Sequence, residues 1–211
     1  MTSLPFTPAF VFASVVITLA PGPDILYVLA KGIAQGRRPA LIAAAGFCSG
    51  LTVHTAAAAC GLSALLVASA TAFTIVKLFG AAYLIYLGIR AILSRGLISL
   101  PENSAALSDR KIFAQAFLMN VLNPKVALFF LAFLPQFIRS DQGNAPQQFV
   151  LLGIGFGIIA FVIFSTVGVF SAVLGKQVRA HPVVARFLDR VAGTAFVFLG
   201  LRLAFSTRLP S

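Results

Sequence analysis

The chain has 211 residues, of which 59% are hydrophobic and only 10% are charged, and its mean hydropathy is +0.99. A soluble domain has about 25% charged residues, so this composition excludes a soluble protein and indicates one integral membrane domain over residues 1–211. A net charge of +11 would suggest nucleic acid in a soluble protein, but basic residues of an integral protein collect in its cytoplasmic loops, so we expect no nucleic-acid partner.

Six apolar segments predict six transmembrane helices, because each provides the run of about 20 residues that a spanning helix needs. They lie roughly at 6–34, 41–69, 72–93, 112–138, 149–175 and 186–206. The polar segment 94–111 divides them into two halves of three, at about 6–93 and about 112–206. No basic region precedes the first segment, so we do not expect a cleavable signal peptide. The predicted fold is an all-α protein that crosses the bilayer several times.

Pro21 and a second proline interrupt the first segment, in "ITLAPGPDILYV" (residues 17–28). A proline inside a helix costs about 3 kcal/mol, but it is tolerated at the first position of a helix, where its missing N–H has no partner to lose. We therefore interpret Gly22 as the cap and Pro23 as the first residue of a restarted half-helix. Asp24 then lies in the first turn, where the helix dipole favours a carboxylate. Proline kinks that serve packing alone are the alternative.

The fourth segment has a matching interruption at Asn123-Pro124, and asparagine is a good helix cap. Lys125 follows it, and a charge at bilayer depth costs about 2.5–3.5 kcal/mol, so such a residue is expected to be paired or to reach water. We predict that helices 1 and 4 are broken and that Asp24 and Lys125 form an ion pair between them. The candidate substrate-binding or ion-binding residues are then Gly22, Pro23, Asp24, Asn123, Pro124 and Lys125.

Three short matches relate the two halves of the chain in sequence order. Residues 23–25 match 124–126 at an offset of 101, residues 46–50 match 153–157 at 107, and residues 86–90 match 198–202 at 112. Because three spans are an odd number, the second copy must cross the membrane in the opposite direction. The sequence therefore predicts two three-helix repeats of inverted topology, an architecture common among secondary transporters. Coincidence within a biased composition is the alternative.

The Lys and Arg residues are distributed unevenly between the two sides of this topology. Alternate connections place eleven on one side and four on the other, with Lys125 inside a span. Since basic residues collect on the cytoplasmic side, we predict that the larger group faces the cytoplasm and that both termini lie outside it. The larger group is Lys31, Arg37, Arg38, Arg90, Arg95, Arg110, Lys111, Lys176, Arg179, Arg186 and Arg190, and the smaller is Lys77, Arg139, Arg202 and Arg208.

Other residues in the spans are candidates for a part in transport. His54 can carry a coupling proton, since imidazole titrates near neutrality, or it can form a hydrogen bond with a neighbouring helix. Asn120 and Gln115 precede the second break and can face a cavity. Two GxxxG pairs favour close helix packing, with a direct substrate contact as the alternative. These pairs are Gly46 with Gly50 and Gly153 with Gly157.

Cys48 and Cys60 lie twelve residues apart in one apolar segment. No CxxC pair and no spacing typical of metal ligands is present in the sequence, so we predict no metal and no cofactor. We interpret both cysteines as small packing residues.

Three stretches together resemble the LysE/RhtB branch of the lysine-exporter superfamily. They are "APGPDILYVLAKGIAQGRR" (20–38), "GAAYLIYLGIRAIL" (80–93) and "LMNVLNPKVALFFLAFLPQFI" (118–138). One departure is visible, because the family often has Ala-Gly after the basic pair where this chain has Pro39-Ala40. The resemblance implies a multi-pass exporter of amino acids or close derivatives in the cytoplasmic (inner) membrane, driven by an ion gradient, with the proton as the expected ion.

Two other classes compete with an exporter. A passive channel or another non-coupled membrane protein can share the fold. A membrane enzyme that reduces disulfides needs cysteines facing each other across the repeats, and two cysteines in one span do not fit, so we expect no enzyme activity. The sequence leaves open which amino acid is exported and whether the chain forms a homo-oligomer.

Overall fold

The computed structural model describes residues 6–20, 22–62, 70–93, 107–139, 144–178 and 182–205. Within these ranges the regular structure is entirely helical and contains no strand. The helices are α1 (Pro8–Leu19), α2 (Pro23–Gln35), α3 (Arg37–Ala57), α4 (Ala70–Ile92), α5 (Asp109–Val121), α6 (Pro124–Leu128), α7 (Ala145–Val178) and α8 (Pro182–Ala204). A π-helical turn (Ala58–Leu62) extends α3, and a π-helical turn (Phe129–Phe133) and a 3₁₀ turn (Leu134–Phe137) extend α6.

Both predicted helix restarts are confirmed. The axes of α1 and α2 differ by 59°, and those of α5 and the extended α6 differ by 45°. Gly22 caps α2 with an extended backbone, and Pro23 is the first helical residue. Asn123 caps α6, where its side-chain Oδ1 accepts a hydrogen bond from the backbone N–H of Lys125 at 3.0 Å. Pro21 lies outside the described residues.

The number of membrane-spanning helices is only partly determined by helix length and apolar composition. Three described helical segments are long and apolar enough to cross a membrane, namely Arg37–Gly61, Thr74–Ile92 and Ala145–Val173. Counting each bent pair as one span raises the number to five. In α8 the described apolar segment, Gly193–Ala204, is shorter. An all-helical protein with several spans is therefore confirmed, and the sixth span stays a prediction.

Glycines fix the relative directions of the helices where two backbones approach closely. In α7, Gly153 lies against Thr55 of α3 and Gly168 lies against Ala40, so these two helices run antiparallel. In α3, Gly46 lies against Phe113 of α5 and Gly50 lies further along against Asn120. α3 and α5 are therefore parallel. Two inverted repeats of three helices require spans 2 and 5, which contain α3 and α7, to be antiparallel. They require spans 2 and 4, which contain α3 and α5, to be parallel.

The contact between α4 and α8 has a reciprocal pattern. A Cβ added to Gly88 would lie 2.6 Å from the carbonyl oxygen of Gly193 and 2.7 Å from Val197. A Cβ added to Gly200 would lie 2.9 Å from the carbonyl oxygen of Ala81 and 2.7 Å from Ile85. The residues of the second contact on α4 and α8 correspond to those of the first at an offset of 112. The same offset relates residues 86–90 to residues 198–202. This reciprocity supports a pseudo-two-fold relation between the halves.

Basic residues gather at one end of the helix bundle, here called the basic end. It comprises Arg37, Arg38, Arg110 and Lys111 at the starts of the parallel helices α3 and α5. An exposed ion pair joins Arg38 to Asp109 at 2.7 Å. At the opposite end, the carboxamide of Gln148 binds the backbone N–H and C=O of Arg139 at 2.9 and 2.8 Å.

The connection at the basic end differs from the sequence interpretation in one respect. α2 and α3 are joined by the single residue Gly36, whose φ of 93° lies in the left-handed region that favours glycine. Lys31, which we counted with the loop charges, lies inside α2 and is only 6% exposed. Its charge suggested a loop position, although Ile33 and Ala34 continue the apolar segment beyond it.

We predict that Gly88→Ala and Gly200→Ala lower stability by similar amounts. Each new methyl group meets a backbone carbonyl of the facing helix, and overpacking of this kind costs about 1–3 kcal/mol. The matched control is Gly157→Ala, where the nearest atom to a new Cβ would be a Leu51 methyl carbon at 4.0 Å. Thermal unfolding in detergent should show a melting temperature several degrees lower for the first two variants only. Equal melting temperatures for all three variants would contradict the close α4–α8 contact.

Candidate functional site

A buried ion pair joins the two broken helices. The Nζ atom of Lys125 lies 2.9 Å from each carboxylate oxygen of Asp24. The side chains are 5% and 3% exposed, respectively. The predicted pairing is confirmed, and the part it takes in binding stays a prediction.

The two helix breaks create the surroundings of this pair. Where α1 ends, the carbonyl oxygen of Ala20 accepts a further hydrogen bond from Lys125 Nζ at 3.2 Å. Gly22 leaves the space in which the charges meet, because a Cβ there would lie 2.6 Å from Asp24 Oδ1 and 2.8 Å from Lys125 Nζ. Its φ of −159° suits any residue, so lack of space rather than backbone conformation requires glycine.

The pair forms part of the wall of a small cavity between the two halves. The cavity has about 250 Å³ of empty space, including some that is open to solvent. Its polar lining is Thr18, Asp24, Asn120 and Lys125, and its other walls are apolar. Apolar walls with a few converging polar groups are typical of a binding site.

Two buried amide groups beside the pair have no hydrogen-bond partner within the described part of the chain. They are the oxygen Oδ1 of Asn120 and the nitrogen Nδ2 of Asn123. The Asn123 amide is oriented by its bond to the Lys125 N–H, which leaves its nitrogen free to donate. Gly50 of α3 leaves room for the Asn120 side chain, since a Cβ there would lie 2.8 Å from Oδ1. Asn120 lines the cavity and has an unpaired acceptor, whereas Asn123, two residues before Lys125, has an unpaired donor and is not part of the cavity lining.

The structure places His54 at a helix contact. Its Nε2 atom lies 3.0 Å from the carbonyl oxygen of Asn120, and its ring packs 5.6 Å from that of Phe130. His54 does not line the cavity, within the described residues. This is the geometry of the second interpretation, a histidine hydrogen-bonded to a neighbouring helix.

The GxxxG glycines all lie between helices and outside the cavity lining. A Cβ at Gly46 would lie 2.6 Å from the carbonyl oxygen of Phe113, and one at Gly153 would overlap Thr55. Gly157 has more space around it. These contacts suit the packing interpretation of the GxxxG pairs.

Gln115 does not reach the cavity. It is exposed, and its Oε1 accepts a hydrogen bond from the Tyr27 hydroxyl at 2.8 Å. Sequence analysis missed both Tyr27 and the cavity residue Thr18. The spacing of Tyr27 from Asp24, three residues along one helix, was the available signal.

Aromatic rings lie on both sides of the cavity. On one side, Phe156 packs 5.0 Å from Phe129 and 5.7 Å from Phe130, measured between ring centroids. On the side of the basic end, Phe164 packs 5.6 Å from Phe47.

No group of three or more His, Cys, Asp or Glu side chains suited to a metal ion occurs among the described residues. Cys48 and Cys60 are free. They lie twelve residues apart along one continuous helical segment, a separation of about 18 Å, which is too great for a disulfide.

Comparisons with known proteins identify similar chains. The family described as "LysE type translocator" matches residues 15–207. An uncharacterized membrane protein of Vibrio cholerae is 34% identical, over 93% of this chain and 95% of that protein. A homoserine/homoserine lactone efflux protein of Salmonella typhimurium is 32% identical, over 93% and 94%. A leucine efflux protein of Enterobacter sp. (strain 638) is 30% identical, over 92% and 93%. No solved structure matches the chain.

We predict that removing one charge of the pair destabilises the protein more than removing both. Asp24→Asn leaves the Lys125 ammonium buried without a counter-ion, and Lys125→Met does the same to the carboxylate. Breaking a buried pair in this way typically costs about 3–5 kcal/mol. The double variant should recover most of the melting temperature in detergent.

The control is Asp109→Asn, which breaks the exposed pair with Arg38 and should change stability by less than about 1 kcal/mol. A double variant less stable than both single variants would contradict a direct pair.

Proposed function

We propose that the protein is a secondary-active exporter of amino acids or close derivatives. The chain belongs to the LysE translocator family, and the proposal starts from that membership. Two relatives that align over more than nine-tenths of the chain are named as efflux proteins, one for homoserine and its lactone and one for leucine. Their shared class, an amino acid or a close derivative, is the substrate class that we assign here.

The buried Asp24–Lys125 pair carries this proposal. An amino acid is a zwitterion with a carboxylate and an ammonium group about as far apart as the two charges of a hydrogen-bonded pair. When it enters between Asp24 and Lys125, the ammonium group of the substrate replaces Lys125 as the partner of Asp24. The carboxylate of the substrate replaces Asp24 as the partner of Lys125. Neither charge is left uncompensated in a low-dielectric site, so the exchange avoids the main penalty of opening a buried ion pair.

The two unpaired amides suit the same orientation of substrate. Lys125 and the free Nδ2 of Asn123 bind the carboxylate, since both are donors. Asp24 and the free Oδ1 of Asn120 bind the ammonium group, since both are acceptors. The side chain of the substrate then occupies the apolar part of the cavity, where Phe156 and other apolar side chains form the wall.

Coupling to protons rests on Asp24. The structure describes the side chains of two carboxylate residues on helices, Asp24 and Asp109. Of these two, only Asp24 is buried at a helix break. Once substrate has drawn Lys125 away, a proton can neutralise the Asp24 carboxylate. An inward proton flow would then drive export. His54 stays a second candidate for this part.

Orientation follows from the basic end. Positive residues favour the cytoplasmic side, so we assign the basic end to the cytoplasm, the protein to the cytoplasmic (inner) membrane, and both termini to the outside. Four of the basic residues that carry this assignment, Arg37, Arg38, Arg110 and Lys111, lie at the starts of two neighbouring parallel helices.

A passive channel is the second candidate, and the geometry does not favour it. Aromatic rings pack on both sides of the cavity, at Phe129 with Phe156 and at Phe47 with Phe164. Aromatic packing on both sides of the cavity suits alternating access better than a continuous open pore. Export against a concentration gradient separates the two functions, because a channel cannot perform it.

We predict that Asp24→Asn and Lys125→Met each abolish uphill export from proteoliposomes or cells that contain normal amounts of the protein. The double variant should recover protein level and remain inactive, since it lacks the group proposed to carry the coupling proton. Export of radiolabelled homoserine and leucine against a gradient, with and without a proton gradient, is the measurement.

Asp109→Asn is the matched control and should export at the wild-type rate, because its ion pair is exposed. The amides of the same amino acids are the substrate control, since an amide lacks the carboxylate. Equal export of an amino acid and its amide, or normal export by Asp24→Asn, would sink the assignment of the site.

We predict that Ser211 lies outside the cytoplasm. A reporter enzyme that works only outside should be active when it is fused there, and a fluorescent reporter that folds only inside should be dark. The reverse signals at that terminus would overturn the proposed orientation.

A further inference from the structure

Lys31 is a buried cation that the proposed substrate site does not use. It lies on α2 seven residues after Asp24, on the same face of the helix and about 10 Å further along its axis, toward the basic end. Although it is only 6% exposed, it forms no ion pair with any described residue. Lys125, by contrast, has a carboxylate and a carbonyl oxygen as partners.

No described residue accepts a hydrogen bond from the Lys31 ammonium. Its Nζ atom lies over the Tyr27 ring, 5.2 Å from the centroid, while the Tyr27 hydroxyl donates to Gln115 and forms no hydrogen bond with Lys31. One helical turn beyond Lys31, the Nε2 atom of Gln35 is buried and has no partner among the described residues. Residues four apart share a helix face, so the two donors lie on one face of α2, and neither has a hydrogen-bond partner among the described residues. An anionic group would satisfy both.

A series of contacts leads from Lys31 to the cavity. Tyr27 packs edge-on against Phe47 at 5.9 Å, and Phe47 packs against Phe164 at 5.6 Å. Phe164 lines the cavity that contains Asp24 and Lys125. Lys31 therefore lies on the basic side of this aromatic layer, and the ion pair lies on the other side.

The second half of the chain has no equivalent cation. The offset of 101 that relates Asp24 to Lys125 relates Lys31 to Ala132. Ala132 is fully buried, and its methyl group lies against Gly80 of α4 without room for a larger side chain. The position of Lys31 is therefore basic in the first half of the chain only, and the second half has an alanine packed against α4 at the equivalent place.

We propose that Lys31, with the Gln35 carboxamide, forms a second carboxylate-binding subsite, which takes the substrate carboxylate at the basic end before it reaches Lys125. This subsite rests on the proposed export of amino acids. The Lys31 ammonium and a carboxylate form a charge-assisted hydrogen bond, which is about twice as strong as a neutral one. The phosphate of an anionic lipid has the same chemistry, so the experiment must separate the two sources.

The test measures amino-acid uptake by vesicles in which the basic end faces the external solution. Lys31→Met removes the charge and keeps most of the apolar stem. It should raise the KM about tenfold, which is the effect of losing one charge-assisted bond. The maximal rate should stay within about twofold of wild type. Lys31→Arg should restore the KM, because it keeps the cation. Lys111→Met removes an exposed lysine at the same end and should match wild type.

Phosphatidylcholine vesicles with and without phosphatidylglycerol identify the ligand. A KM effect of Lys31→Met that is present in both lipids supports substrate carboxylate as the ligand. An effect that requires phosphatidylglycerol assigns Lys31 to lipid phosphate and overturns the subsite. If Lys31→Met does not fold, Lys31→Gln replaces it and is judged by the same KM.

Failure of the subsite and failure of the proposed function give different results. Equal KM values for wild type and Lys31→Met, with normal transport by both, would remove the subsite and leave export intact. Absence of amino-acid transport by the wild type would remove both. A fall in maximal rate with an unchanged KM would assign Lys31 to the structure of α2 and would also overturn the subsite.

Discussion

The constraint on which the rest of the structure depends is the burial of two opposite charges between two broken helices. Neither Asp24 nor Lys125 is tolerable alone in an apolar interior, so each must lie within hydrogen-bonding distance of the other. That distance requires both helices to stop and restart, which Pro23 and Pro124 achieve. It also requires space between the charges and the neighbouring backbone, and the missing side chain of Gly22 provides it. At the end of α1 the carbonyl oxygen of Ala20 accepts a hydrogen bond from Lys125, and at the end of α5 the side-chain oxygen of Asn120 has no partner among the described residues.

This arrangement connects packing with transport. The two bends lie beside the cavity, and aromatic rings pack on both sides of it. A helix interrupted at a cap can change its angle without breaking a hydrogen bond in the middle of a continuous helix. α2 and the extended α6 lead to opposite ends of the bundle, so movement of one can open one side while the other stays closed. Exchange of the ion pair for a zwitterion would supply the change in contacts that such a movement needs.

Much of the site could be predicted from sequence because its signals are local. A proline in an apolar segment, with a charge directly after it, indicates a restarted helix and a charge that needs a partner. Both halves of the chain have this pattern, at 23–25 and 124–126. The facts that sequence analysis missed depend on which way a side chain points. Hydropathy placed Lys31 at the end of a span, where it reads as a loop charge, and only the packing of α2 shows that it is buried. Thr18 and the free amides of Asn120 and Asn123 depend on contacts between helices that no short pattern encodes.

The most direct test of the central claim is a structure of the purified protein with an exported amino acid bound in the cavity. We expect the distance from Lys125 Nζ to the Asp24 carboxylate to exceed hydrogen-bonding range. The substrate carboxylate should lie at Lys125 and its ammonium group at Asp24. An intact Asp24–Lys125 pair, with the amino acid bound elsewhere, would contradict the claim that the substrate replaces the ion pair.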